Sequence, residues 1–287
     1  MAGTDLVPEP LLPGVWWLEG TRGSNVYLVQ ADDGSLALID PGFPSNLEPI
    51  LLQLSAFERP LAAILLTHAH FDHAGAAADL HRATGARIVA GRGDCRSRGD
   101  GVFLATGLGR SHVARWLGAK LAPPPQDAPV HVPVDEEQEV LPGLIAVPTP
   151  GHTPGSLCYL LPRASAAFVG DLVISHGGML TRPLTLANWD DACYLAALAW
   201  FAERAPEAGL PGHGEPVLLG FGEALRELAR LPRRRGLAAL APDRLVRLMR
   251  FSRGFLRSRR GGGALPARLP SPSAGDGDPG PEDGRDG

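Results

Sequence analysis

Between Leu66 and Ala74 the chain reads Thr67-His68-Ala69-His70-Phe71-Asp72-His73, four potential metal ligands within six residues. The cluster directly follows an apolar run, 61–66 (LAAILL), with the length and composition of a buried strand. Polar groups set at the end of a core strand lose hydration and need partners. A bound metal suits this set better than a solvated loop that happens to be rich in histidine. In extended chain, residues two apart point to the same side, so His68 and His70 can grip one ion. If the chain then turns into a helix from Ala74, Asp72 and His73 face another way and can reach a second ion.

Three more candidates stand at the ends of apolar runs, each beside glycine: Pro150-Gly151-His152-Thr153-Pro154, Val169-Gly170-Asp171 and Pro211-Gly212-His213-Gly214. Glycine there allows a sharp turn or a close backbone approach. A lone histidine or a lone Gly-Asp is more often structural. Together, however, these residues complete two sets of nitrogen and oxygen donors, the kind zinc takes. Five of the nine histidines enter the scheme; His81, His112, His131 and His176 stay outside it.

His-x-His-x-Asp-His, Gly-His-Thr-Pro-Gly, Gly-Asp and a final Gly-His, in this order, resemble the metallo-β-lactamase-fold superfamily over roughly residues 15–220. His73 and the run Gly151-His152-Thr153-Pro154-Gly155-Ser156 are similar to its glyoxalase II-like branch. The resemblance implies an α/β protein, a four-layer αββα sandwich with its metal site at the edge between the two sheets. It implies His68, His70 and His152 on a first metal, Asp72, His73 and His213 on a second, and Asp171 bridging them. It also implies two zinc ions per chain, with iron or manganese as alternatives. Asp40, in Leu38-Ile39-Asp40-Pro41-Gly42, matches the aspartate that braces the histidine loop in that family; it also reads as an ordinary turn-former.

Two metals suit hydrolysis, because bound zinc brings the pKa of its water to about 7. A hydroxide bridging the metals would attack an ester-type bond, with Asp72 as the catalytic group that orients the nucleophile or carries its proton. The branch resembled includes thioesterases and lactonases, so a thioester or related acyl substrate is expected. Lactonases of the family usually carry a tyrosine shortly after the bridging aspartate; here Leu172-Val173-Ile174-Ser175 follows. β-Lactamase activity rests on fold alone. A rival of another class is a persulfide dioxygenase-like oxidoreductase, which would use one iron on His68, His152 and Asp171.

Along the chain, strands are expected at 15–30, 35–40, 61–66, 87–90, 129–134, 138–148, 157–162 and 166–170, and helices at 45–57, 74–84, 189–204 and 221–231. Helix 189–204 would turn Trp189, Cys193, Ala196, Ala197 and Trp200 to one face. This gives a catalytic domain over 1–232. Its excursion 91–128, with a helix at 110–119 and prolines at 123–125, would cap the pocket. A basic helical extension follows at 233–260, then a disordered tail at 261–287, where Gly, Pro, Ser and Asp replace apolar residues.

Charge is uneven: residues 226–260 hold twelve of the 27 Lys and Arg. The amphipathic part, with Arg244, Arg247, Arg250, Arg253, Arg257, Arg259 and Arg260, reads as a helix packed on the domain, ahead of a membrane contact through 242–260. A net charge of −4 argues against a nucleic-acid partner, leaving a small-molecule substrate. Three cysteines without metal spacing fit a reducing compartment. No basic segment followed by an apolar core opens the sequence, so the expected location is cytoplasmic. The triplets Arg-Gly-Asp at 92–94 and 98–100 read as chance in this composition, and Cys158 as core packing.

Overall fold

The computed structural model describes residues 9–105 and 128–232. The helix expected at 110–119, the prolines at 123–125, the basic stretch 233–260 and the tail 261–287 lie outside the described residues.

Two sheets form the middle of the molecule. The first has six strands in the order β1 (Val15–Trp17), β2 (Tyr27–Gln30), β3 (Leu36–Ile39), β4 (Leu61–Leu65), β5 (Arg87–Gly91) and β8 (Val132–Val134). β1, β2 and β3 are antiparallel neighbours, whereas β3, β4, β5 and β8 run parallel. The second sheet orders β15 (Ala208–Pro211), β12 (Ala166–Gly170), β11 (Leu157–Leu161), β10 (Leu144–Pro148) and β9 (Gln138–Leu141). Only β12 and β15 are parallel in it. Two hairpins stand apart: β6 (Cys95–Arg98) with β7 (Gly101–Leu104), and β13 (Ile174–His176) with β14 (Met179–Thr181).

Strand alternation divides the apolar residues among three cores. In β3, Leu36 and Leu38 turn to one face and Ala37 and Ile39 to the other. In β12, Ala166 and Phe168 oppose Ala167 and Val169. The central core lies between the sheets, where Tyr27, Ile39 and Leu65 join Tyr159, Phe168 and Leu210. Outside the first sheet, α1 (Leu47–Leu54) and α3 (Ala77–Thr84) bury Ile50, Ala77 and Leu80 against Leu38, Ile64 and Ile88. Outside the second, α4 (Asp191–Ala202) and α5 (Phe221–Arg230) bury Tyr194, Leu198, Phe201, Phe221 and Leu225. The layers are therefore αββα. No described helix is long and apolar enough to cross a membrane.

Two local expectations need correction. The helix expected over 74–84 starts earlier, as α2 (Phe71–Ala74), and α3 follows after a break at Gly75 and Ala76. The single strand expected over 138–148 is a hairpin, since Pro142-Gly143 turns the chain, with Gly143 at φ 77°. On helix α4, which starts after Trp189, the sequence places Trp189 and Trp200 on one face without assigning its burial. Both tryptophans are exposed, and Tyr194, Ala197, Leu198 and Phe201 point inward. Trp200 instead lies under the Arg204 guanidinium, 4.6 Å from the ring centroid.

Candidate metal centre

Six of the eight predicted site residues stand beyond the carboxyl end of a strand. Asp40 follows β3, His68 and His70 follow β4, His152 lies between β10 and β11, Asp171 follows β12 and His213 follows β15. Asp72 and His73 sit on α2, whose start directly after His70 redirects them. Parallel pairing of β12 with β15 brings Asp171 and His213 to one edge. The loops then lock across the sheets. Leu157 N–H donates to the Thr67 carbonyl at 2.7 Å, and Asn25 donates from its backbone to Gly212 O at 2.7 Å. Gly212 allows this packing, because a Cβ there would come within 2.5 Å of the His73 ring.

Three groups of donors result: His68, His70 and His152; Asp72, His73 and His213; and His68, His73 and Asp171. In the first, His70 Nδ1 lies 3.0 Å from His68 Nε2 and 3.1 Å from His152 Nε2. In the second, His213 Nε2 lies 3.2 Å from His73 Nε2 and 3.4 Å from Asp72 Oδ2. Asp171 spans the two. Its Oδ2 is 3.4 Å from His152 Nε2, and its Oδ1 is 3.4 Å from His73 Nε2 and 3.6 Å from His213 Nε2.

The surrounding hydrogen bonds fix which nitrogen of each ring faces inward. Asp40 Oδ1 accepts from Thr67 N–H at 2.8 Å, and its Oδ2 accepts from the Thr67 hydroxyl at 2.5 Å and from His73 Nδ1 at 2.8 Å. With its proton given to Asp40, the Thr67 hydroxyl accepts from His68 Nδ1 at 3.1 Å. Asn188 Nδ2 donates to Asp191 Oδ1 at 2.8 Å, so its Oδ1 faces His152 Nδ1, 3.0 Å away, and accepts. His68, His73 and His152 thus carry a proton on Nδ1 and turn Nε2 toward the centre. Asp40 holds this post at φ 49°, a left-handed conformation that three accepted bonds stabilise.

Protonation follows from burial and neighbouring charge. Burial, reinforced by the adjacent imidazoles, keeps His68 well below the ordinary histidine range and brings His70 to about 3. Burial opposes charge on His73 too, but the Asp171 and Asp40 carboxylates raise it well above the usual value. Against the cost of burial, His213 and His73 hold Asp171 ionised, and His213 does the same for Asp72.

This arrangement fits a cation. Nitrogens bound at about 2.0–2.1 Å to one tetrahedral ion stand about 3.3 Å apart, near the spacing of the inward ring nitrogens. His70 supplies the clearest sign. Its Nε2 is buried with no hydrogen-bond partner, while its Nδ1 faces the inward Nε2 atoms of two other rings. Whichever nitrogen carries the proton, one polar group is left unpaired or lone pairs face each other. A cation among the three nitrogens removes the conflict. Asp171 Oδ1 is likewise buried without a hydrogen-bond partner.

Sequence reasoning missed Asn188, Asn25 and Asp94. Asn25 Nδ2 donates to Pro211 O at 2.9 Å and Gly214 O at 2.7 Å, clasping the His213 loop. Asp94 belongs to a triplet read as chance, yet it is buried between two histidine loops. Burial pushes its carboxyl above the usual range, opposed by the hydrogen bonds it accepts from Thr153, Ala69 and Gly155. None of the three belongs to a recognisable local motif. His81 and His131 pair with each other instead, ring centroids 4.6 Å apart, and His176 lies on the β13–β14 hairpin. Cys158 is fully buried, its thiol pushed up to about 12.

Comparison with known proteins gives concordant relatives. A family model described as the metallo-beta-lactamase superfamily matches residues 20–246. The uncharacterized protein YobT of Bacillus subtilis (strain 168) is 29% identical over 205 residues, 67% of this chain and 83% of its own length. Thioesterase pkgB of Emericella nidulans is 30% identical over 72% of this chain, and hydroxyacylglutathione hydrolase of Rhodospirillum rubrum 31% over 60%. The matches span 49% and 57% of those two proteins, so this chain covers about half their length. Among solved structures, TTHA1623 in a di-iron-bound form is 29% identical with a TM-score of 0.50, covering 68% of this chain and 90% of that one. MIM-2 metallo-beta-lactamase shares the fold, at 22% identity and TM-score 0.54 over 86% of this chain and 94% of its own.

Proposed function

The chain belongs to the metallo-β-lactamase superfamily, and from that premise we propose a metal-dependent hydrolase that opens a thioester or related acyl bond with two zinc ions per chain. The observation that carries the reading is the two donor groups placed side by side with one oxygen of Asp171 facing each. His68, His70 and His152 would hold one ion, Asp72, His73 and His213 the other, and Asp171 both. When bound, such a pair lowers the pKa of water and polarises the substrate oxygen.

The chain's own groups supply the rest. Asp40 and Asn188 keep the ring nitrogens aimed inward. The Asp72 side chain is 23% exposed, more than any other carboxylate of the two groups, so it would orient the attacking water and take up its proton. A thiol has a pKa near about 8.5 and departs readily as thiolate, so thioester cleavage asks for only one such proton carrier. The thioesterase and hydroxyacylglutathione hydrolase relatives support that substrate class. We assign the catalytic domain to 1–232, with the excursion 91–128 rooted beside the candidate site. Its described root, Gly91 to Asp94, packs on the His152 loop.

The test is metal content per chain, followed by hydrolysis of acyl thioesters, lactones and β-lactams. Two zinc equivalents with thioester turnover well above the others support the reading. One iron equivalent with oxygen uptake would replace it with the dioxygenase reading on His68, His152 and Asp171.

A further inference from the structure

We infer that Asp94 is a positioning residue: its buried carboxylate sets the gap between the loop bearing His68 and His70 and the loop bearing His152, and so tunes how tightly the three-histidine group holds its ion. This rests on the metal reading of that group. Three donors from two loops meet on the one carboxylate. Ala69 N–H, between the two histidines, donates to Oδ2 at 2.9 Å. The Thr153 hydroxyl, next to His152, donates to the same oxygen at 2.7 Å, and Gly155 N–H donates to Oδ1 at 2.8 Å.

Thr153 is held in turn. Its N–H donates to the Ser156 hydroxyl at 2.9 Å, and the two hydroxyls lie 2.8 Å apart. Because Thr153 gives its proton to Asp94, the Ser156 proton points back to Thr153, and the chain of bonds runs in one sense toward the carboxylate. An acceptor-only group is required at its end. Asparagine would present an amide N–H to one of the donors.

Length is fixed as well. Arg92–Asp94 forms a 3-10 turn lying flat on the histidine loop: a Cβ on Gly91 would collide with the Gly155 carbonyl, and one on Gly93 with Pro154. Aspartate therefore reaches both loops with its backbone in contact, and one more methylene would push them apart. The Asp94 carbonyl also accepts Ala105 N–H at 2.7 Å, which closes the base of the β6–β7 hairpin. The root of the excursion and the spacing of the histidines thus share one residue.

The experiment compares the full chain with Asp94→Ala, Asp94→Asn, Thr153→Val and a remote core variant, Leu80→Ala. Readouts are zinc affinity by chelator competition, visible bands after cobalt substitution, and the melting midpoint of metal-free protein. Asp94→Ala is expected to weaken the tighter metal equivalent about 10- to 100-fold and alter the cobalt bands. Asp94→Asn and Thr153→Val should do so less, and they carry the test if the alanine variant fails to fold. Leu80→Ala should lower the midpoint and leave affinity unchanged. Wild-type affinity and bands in all the Asp94 and Thr153 variants that fold overturn the inference alone. So does an equal loss of affinity in Leu80→Ala, which reduces Asp94 to a part of general stability. Wild-type protein that takes up neither zinc nor cobalt overturns the metal reading and this inference with it.

Discussion

The three-histidine group and the group of Asp72, His73 and His213 lie under one carboxylate but are made differently. His68, His70 and His152 are buried, offer nitrogen only, and the first two are kept neutral by their surroundings. The other group mixes nitrogen with the charged, partly exposed oxygen of Asp72, and its His73 is drawn toward the protonated state by two carboxylates. Neutral buried donors must grip by placement, since they carry no charge to attract an ion. Charged donors attract at longer range and tolerate looser placement. The buried group is held by Thr67 on His68, Asn188 on His152 and Asp94 on both loops, whereas in the other group Asp40 holds His73 and Asp72 stays partly open to solvent. Holding an ion tightly and exchanging protons with solvent are demands that one site meets by dividing them.

This division can be broken experimentally. Asp171→Ala removes the side chain that both groups share. It should abolish hydrolysis below detection and lower metal content while leaving far-ultraviolet circular dichroism unchanged; retained turnover would sink the shared site. Asp72→Asn touches the open group alone. Turnover should fall about 10²- to 10⁴-fold, the range of a lost proton carrier, with one metal equivalent retained in dialysis. If both equivalents vanished, the groups would not be separable. Asn188→Ala frees the His152 ring without removing a donor. A loss of about 10- to 100-fold in affinity for the tighter ion, read by chelator competition, is expected. Tyr27→Phe deletes a hydroxyl that donates to Pro211 O at 2.9 Å behind the His213 loop. It should cost about 1 kcal/mol in denaturant unfolding, because Pro211 O keeps its bond from Asn25. An effect on the tighter ion rather than the weaker would contradict the division.

The donors themselves could be read from the chain because each sits in a short run that is costly unless it binds something. Such runs name five histidines with Asp72 and Asp171, and the structure brings them together; the order of strands and helices speaks for an α/β protein, and the four layers are implied by the family resemblance. The partners of those donors could not be read the same way. Asp94, Asn188 and Asn25 are ordinary residues made important by pairings formed only in three dimensions: Asp94 with Gly155 lies 61 positions away and Asn25 with Gly214 lies 189. The buried side of helix α4 was silent for a related reason. Helix α4 is apolar almost all round, so spacing alone does not choose its buried side. The start of α2 at Phe71 was hidden by the cluster it carries, since apolar periodicity is silent over a run of polar donors.

The meeting of His73 with His213, 140 positions apart, and of His70 with His152, 82 apart, also bears on how the molecule comes to exist. Closing such long loops is slow, and neither group is complete until both sheets have formed and docked. Nascent chain holding only the first sheet has His68, His70, Asp72 and His73 but no cage. Metal capture would then come only after the two sheets have docked. Time-resolved uptake of zinc during refolding should lag behind the burial of Tyr27, Tyr159 and Phe168 in the central core.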